Sequence, residues 1–216
     1  MENIWKTQWK GKLHFSHGSN HSCGVMVLVG SDLDFNLISI NSDDEGRSIV
    51  MEAEVQGLPF LFVNIYAPSK TQDQCCFFDK LNDNIEDCVA NKELKIILGG
   101  DFNVTLDSDL GCSGGRPFTK DSVKNMQNLR FDFDLVDIWR IRNPERRRFT
   151  WREKNPFIQR RLDYWLISDV CQDEIEKSDI IPSINSDHSA ICLQFNSIDK
   201  SDHGPSCWLT TQILSH

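Results

Sequence analysis

Lys95-Ile96-Ile97-Leu98-Gly99-Gly100-Asp101-Phe102-Asn103 begins as an apolar run and closes on an acid and an amide. A continuous run without polar alternation predicts a strand, Lys95–Leu98, covered on both faces rather than one. Such a strand belongs inside an α/β layer structure. The two glycines predict a sharp change of backbone direction. Asp101 and Asn103 would then project together from the strand end, where loops commonly build sites.

Working outward, Leu13–Phe15, Gly24–Val29, Leu37–Ile40, Ser48–Val55 and Pro59–Ala67 are short runs rich in Val, Ile and Phe, bounded by turn residues, and read as strands. Gln56-Gly57-Leu58-Pro59 predicts a hairpin turn between the last two. Phe77, Phe78, Leu81, Ile85 and Val89 recur at three- and four-residue steps and predict a helix from about Thr71 to Ala90. A second helix is expected at about Asp121–Phe133, then strands at Phe149–Arg152, Arg161–Ile167 and Ile191–Phe195. The order is β-rich, then α, β, α, then β-rich again. It implies an α/β fold of two packed sheets with helices outside, rather than a Rossmann alternation. Residues 1–197 are read as one domain, and 198–216, where the pattern is lost, as an irregular tail.

A chain of 216 residues with 39% hydrophobic and 25% charged residues suits one globular domain. Six Trp and thirteen Phe against two Tyr imply a bulky aromatic core. No apolar run reaches the roughly 20 residues of a membrane span, and the opening residues carry no signal-peptide pattern. These features suggest an intracellular protein, cytoplasmic or nuclear. The eight cysteines include no C-x-x-C pair and read as reduced thiols. His14, His17 and His21 lie close in sequence. Positions three apart on a strand point to opposite faces, which argues against a metal site there.

The net charge is −9, but it is unevenly spread. Between Trp139 and Leu162, nine Lys or Arg stand against two Glu, a local +7 that leaves the remainder at −16. Such polarity suits a protein that holds phosphates on one side, although a solvated charged loop would look the same. Two further acid-bearing clusters lie at strand ends: Arg161-Leu162-Asp163-Tyr164 and Ser186-Asp187-His188-Ser189. Phosphodiester cleavage needs a cation on the non-bridging oxygens, an activated water, and donors that tolerate added negative charge. Carboxylates, an amide and a histidine supply those functions. Singly each cluster is a common turn; together with Asn64-Ile65-Tyr66-Ala67-Pro68 they form a specific set.

That set resembles the endonuclease/exonuclease/phosphatase superfamily, and within it the endonuclease domain preceding the reverse transcriptase of non-LTR retrotransposons. Trp9-Lys10-Gly11, Ser16-His17-Gly18, Ser22-Cys23-Gly24-Val25 and Phe149-Thr150-Trp151 carry the narrower likeness, which spans roughly residues 5–197. The resemblance implies a four-layer sandwich and Mg²⁺- or Mn²⁺-dependent nicking of DNA. It assigns Asp101 to the attacking water, Asn103 to orienting water and phosphate, and Asp187 to the metal. His188 would contact the scissile phosphate, held by Asp163, and Tyr66 would donate to the phosphate. Thr150 and Ser186 would line or brace the cleft, and Arg146, Arg147 and Arg148 would grip the DNA backbone. The implied partner is DNA, with no membrane and no small-molecule cofactor. The implied state is a monomer, or part of a reverse-transcriptase polyprotein.

One departure matters. Family members begin with a strand carrying an asparagine and a second ending in a Gln-Glu motif whose glutamate is a principal metal ligand. The expected place precedes Trp9; only Glu2 lies there, and Glu52 and Glu54 fall inside a strand. This reads as a domain missing its first strands, with weakened metal binding. The alternative is an inactive relic that keeps residual DNA binding. A phosphatase or lipid phosphodiesterase is a third possibility. It is disfavoured because the Trp- and Arg-bearing loops near Thr150 suit nucleic acid, and because nothing resembles a membrane-facing apolar hairpin.

Overall fold

The computed structural model describes residues 6–18, 24–183 and 186–196, and the backbone of 208–211. Glu2, His21, Ser22, Cys23 and Cys207 lie outside the described residues. The chain opens with an antiparallel pair, β1 (Lys12–His17) and β2 (Gly24–Val29). Next come β3 (Phe35–Ser42), β4 (Ser48–Val55) and β5 (Leu58–Tyr66). Gln56 and Gly57 both have positive φ, 52° and 76°. That is the two-residue turn matching strand twist, so Leu58 and Pro59 belong to the strand and not to the turn. Pro59 is tolerated because the neighbouring strand β6 (Lys95–Asp101) begins its pairing opposite Phe60.

β5 and β6 are parallel, and helix α1 (Thr71–Val89) makes the crossover that parallel strands require. Helix α2 (Ser108–Gly111) is a single turn capped by Asp107, and β7 (Cys112–Ser113) follows it. Thr119 caps α3 (Lys120–Asp132) by accepting from Ser122 N. Then come β8 (Leu135–Asp137), α4 (Ile138–Arg142), the hairpin β9 (Trp151–Lys154) and β10 (Phe157–Arg160), and β11 (Asp163–Ser168). The described chain ends with β12 (Ile175–Ile181), β13 (Ala190–Phe195) and β14 (Trp208–Thr211).

The main sheet has six strands in the order β3-β4-β5-β6-β11-β8. On one face, Phe78, Leu81 and Ile85 of α1 and Met126 and Leu129 of α3 pack over Leu61, Val63, Leu98 and Leu166. On the other, Val25 and Val29 of β2 and Ile180, Ile191 and Leu193 of β12 and β13 cover Met51, Ala53, Phe60, Ile97 and Ile167. Two apolar faces explain why β6 and β11 are buried along their length. The result is the α/β sandwich of packed sheets and flanking helices that the order of elements implied. Among the described residues no helix is long and apolar enough to cross a membrane.

Several expectations shift. β6 runs on to Asp101, so Gly99 and Gly100 lie within the strand rather than in a turn after it. A Cβ on Gly99 would sit 2.2 Å from Trp165 Cζ3, and one on Gly100 (φ +134°) 2.0 Å from Ile65 O. Their role is close packing. The strand expected at Phe149–Arg152 starts at Trp151. Residues 208–211, expected to be irregular, form β14 against β13, where the open side of β13 offers backbone partners.

Candidate active site

The parallel pairing of β5 with β6 sets Tyr66 beside Asp101, and the antiparallel pairing of β6 with β11 sets Asp163 opposite Asp101. Three neighbouring strands thus end at one place. The Ser186–Ser189 segment reaches it through the β9–β10 hairpin. Trp151 forms a bridge with His188, Arg152 N donates to Asp187 O at 3.1 Å, and Ser189 N donates to Thr150 O at 2.6 Å. Asp101, Asn103, Asp163, Asp187 and His188 are thereby brought together.

His188 Nδ1 lies 2.9 Å from Asp163 Oδ2, and both side chains are buried. The Thr150 hydroxyl accepts from Leu162 N and Asp163 N at 2.9 and 3.0 Å, which fixes the backbone that carries Asp163. At 1% exposure, Thr150 is buried and braces this backbone rather than lining an accessible surface. Ser186 Oγ accepts from His188 N at 3.1 Å, so this serine shapes the loop.

Asn103 has φ +50°, a conformation non-glycine residues adopt at a cost and that clusters at functional sites. Three bonds hold it there. Asn103 N donates to Asp101 Oδ1 at 2.8 Å, Asn103 Nδ2 donates to Ala67 O at 2.8 Å, and Gln74 Nε2 donates to Asn103 O at 3.1 Å. The same Gln74 nitrogen reaches Pro68 O at 2.9 Å. Gln74 was not anticipated from sequence. A polar residue in the first turn of an amphipathic helix gives no signal unless the facing loop is known. Arg47 is likewise new: Tyr66 N donates to its carbonyl at 2.8 Å, and its guanidinium sits 5.7 Å from the Tyr66 ring centre.

The charges are strongly coupled. Burial pushes the Asp101 carboxyl well above the usual range, and the neighbouring Asp163 and Asp187 charges add to that; His188 and the Asn103 N–H oppose it. Burial alone would lower the His188 pKa. The hydrogen bond to Asp163 and the charges of Asp163, Asp101 and Asp187 outweigh it and raise the value to about 9. The surroundings therefore favour the protonated imidazole.

Below this cluster Arg161 makes a two-pronged pair with Asp137, both contacts 2.6 Å, and lies between the rings of Trp139 and Tyr164. Much of the basic segment is spent in this way. Arg140 donates to the carbonyls of Asn143, Pro144 and Arg146, and Arg142 to those of Gln172, Ile175 and Glu176. Arg160 donates to Arg116 O. Of the residues expected to hold phosphate, Arg147 donates to Cys112 O and Arg148 to Ile180 O, while Arg146 is exposed. Glu52 pairs with Lys92 at 2.7 Å and Glu54 accepts from Asn36, so neither joins the cluster.

No family profile matches the sequence. The chain is 31% identical over 199 residues to an uncharacterized 149 kDa protein of transposon TX1 from Xenopus laevis, an alignment covering 91% of this chain but only 15% of that protein. Among solved structures, the 3′–5′ exonuclease NExo of Neisseria meningitidis superposes with a TM-score of 0.67 at 20% identity, over 90% of this chain and 82% of that one. The endonuclease domain of TRAS1, a telomere-specific non-LTR retrotransposon, gives 0.64 at 14% identity, over 87% and 81%. The AP endonuclease LMAP of Leishmania major gives 0.58 at 16%, over 82% and 68%. The chain therefore shares the fold of these nucleases and, over most of its length, is related to a segment of a transposon protein.

Proposed function

We propose that this chain is a phosphodiester-cleaving domain that nicks DNA with the help of a divalent cation, as the endonuclease part of a retrotransposon polyprotein. The observation that carries the reading is the buried Asp163–His188 pair facing Asp101 and the strained Asn103. A histidine kept cationic by Asp163 can meet a phosphate oxygen and offset the charge that grows in the transition state. Asp101, whose carboxyl holds protons tightly, is suited to take the proton of an attacking water. Asn103, fixed through both its backbone and its amide, is suited to orient that water and the phosphate.

Asp101, Asp187 and the Asn103 amide oxygen are hard donors of the kind Mg²⁺ or Mn²⁺ takes. Mg²⁺ commonly uses only one or two carboxylates and completes its shell with water and substrate phosphate. Asp187 would hold it, leaving Asp101 to the water. When bound, it would polarise the phosphate and lower the pKa of water.

The test is nicking of supercoiled plasmid in Mg²⁺ or Mn²⁺, with Asp101→Ala as control. Nicking by the wild type alone supports the reading; equal nicking by both, or none, removes it. A second reading, an inactive relic that still binds DNA, is favoured by one fact. Among the described residues no three His, Cys, Asp or Glu side chains form a group that would hold a metal. Its signature is salt-sensitive DNA binding without cleavage, lost when Arg146, Arg147 and Arg148 are neutralised.

A further inference from the structure

Trp151 Nε1 donates to Asp187 Oδ2 at 2.9 Å. Asp187 is exposed and sits on a loop, where a short carboxylate would otherwise sample several rotamers. Among the described residues, its second oxygen has a long contact, 3.5 Å, from Ser186 Oγ. Trp151, by contrast, is anchored. It is the first residue of β9, pairs with Arg160 across the hairpin, and bridges to His188. The strand therefore supplies the donor to an exposed loop acid.

We infer that Trp151 is a positioning residue for Asp187, setting one carboxylate oxygen so that the other is presented to a divalent cation. The inference rests on the proposed metal-dependent function. The chemistry of the donor explains why a tryptophan suits this place. An indole N–H donates only and carries no charge. An arginine or lysine here would orient the acid equally well but would neutralise it and compete with the cation. The indole restricts Asp187 while leaving its negative charge in place, as outer partners of metal ligands do.

The contact also joins two parts of the site. β9 carries exposed Arg152 and Lys154, and exposed Phe157 opens β10 just after the turn. A strand that can meet nucleic acid thus ends on the residue that holds Asp187.

Two readouts test the inference on the full chain. The first uses no substrate. The chain has six Trp, and Trp151→Phe identifies the Trp151 indole signal in a ¹H–¹⁵N spectrum by its loss. Asp187→Ala is expected to move that signal to higher field; a signal that stays put overturns the contact. The second is Mn²⁺ affinity, read by paramagnetic broadening of the His188 ring signals without DNA. Trp151→Phe, which keeps the ring and removes the donor, is expected to weaken Mn²⁺ by about 10-fold, the usual loss for an outer partner of a metal ligand. Trp151→Phe binding Mn²⁺ like wild type while Trp151→Ala loses it would reduce Trp151 to packing and overturn the role. Wild type that binds no Mn²⁺ overturns it as well. Wild type that binds Mn²⁺ with the expected Trp151 dependence but fails to nick plasmid defeats the proposed activity and leaves this inference standing.

Discussion

Asp101 and Asp163 face each other directly across the antiparallel strands β6 and β11, with His188 bonded to Asp163. Two acids in register at the buried end of a sheet repel each other and are costly to leave charged. The protonated His188 beside Asp163 offsets part of that repulsion, since its charge lowers the Asp101 pKa. Destabilised groups at a strand end are a mark of a site built for chemistry rather than for stability.

The Asp163–His188 pair sets a pH dependence. The His188 pKa of about 9 lies above its ordinary 6.5. The pair's stabilisation is thus fully present below pH 6.5 and lost as pH rises through 9. A shift of that size corresponds to about 3 kcal/mol. Asp163→Asn is expected to return the His188 midpoint toward 6.5, read from ring-proton NMR. Because the raised Asp101 carboxyl also tilts stability against high pH, the NMR midpoint and not the melting curve isolates this pair. An unchanged midpoint would assign the shift elsewhere.

Gln74 ties α1 to the Asn103 turn through two backbone carbonyls. Gln74→Leu keeps the bulk and removes both bonds, at an expected cost of ~2 kcal/mol in urea unfolding. Nicking should fall further than folded fraction accounts for, since Asn103 loses a restraint. Activity that simply tracks folded protein would make Gln74 structural only.

Gly99 leaves room for the Trp165 ring. Gly99→Ala places a methyl 2.2 Å from that ring, and overpacking of this kind costs ~1–3 kcal/mol. The matched control is Gly30→Ala, where nothing lies within 4 Å, and its melting temperature should barely change. Equal effects at both positions would contradict the packing account.

Arg161 and Asp137 form a buried ion pair. Removing one partner strands the other charge, so Asp137→Ala should destabilise by ~3–5 kcal/mol. Arg161→Met with Asp137→Leu together should recover most of that loss. Failure of the double variant to recover would point to the Trp139 and Tyr164 ring contacts as the main contribution.

The basic segment divides into two classes. Arg146→Gln should reduce the salt slope of DNA binding by about one and leave stability unchanged. Arg142, bonded to carbonyls of the β12 region, should do the reverse on conversion to Gln: lower stability, same slope. Interchanged results would relocate the DNA-facing surface.

Most of the sheet core was legible because burial on two faces leaves an unbroken apolar record, as in Lys95–Leu98, and because α1 keeps its apolar residues at helical spacing. β12 was missed for the opposite reason: Glu176-Lys177-Ser178-Asp179 shows no alternation, and its pairing with β13 contains an irregularity at Ile175/Lys177. The convergence of Asp101, Asp163 and His188 was anticipated through motifs. Gln74 and Trp151 acquire their roles only from what lies across from them, which residue type does not encode. Nor does charge reveal its own use. The +7 segment looked like one DNA grip, yet Arg140, Arg142, Arg160 and Arg161 fasten loops and strands.

The parallel pairing of β5 with β6 has a kinetic consequence. Tyr66 and Asp101 become neighbours only once the crossover between their strands has closed. His188 then has to find Asp163 over a further 25 residues. Contacts of such long sequence separation are slow to form, since loop closure must precede any gain from pairing. Catalytic geometry should thus be among the last features acquired during refolding, so recovery of nicking would lag recovery of helical signal.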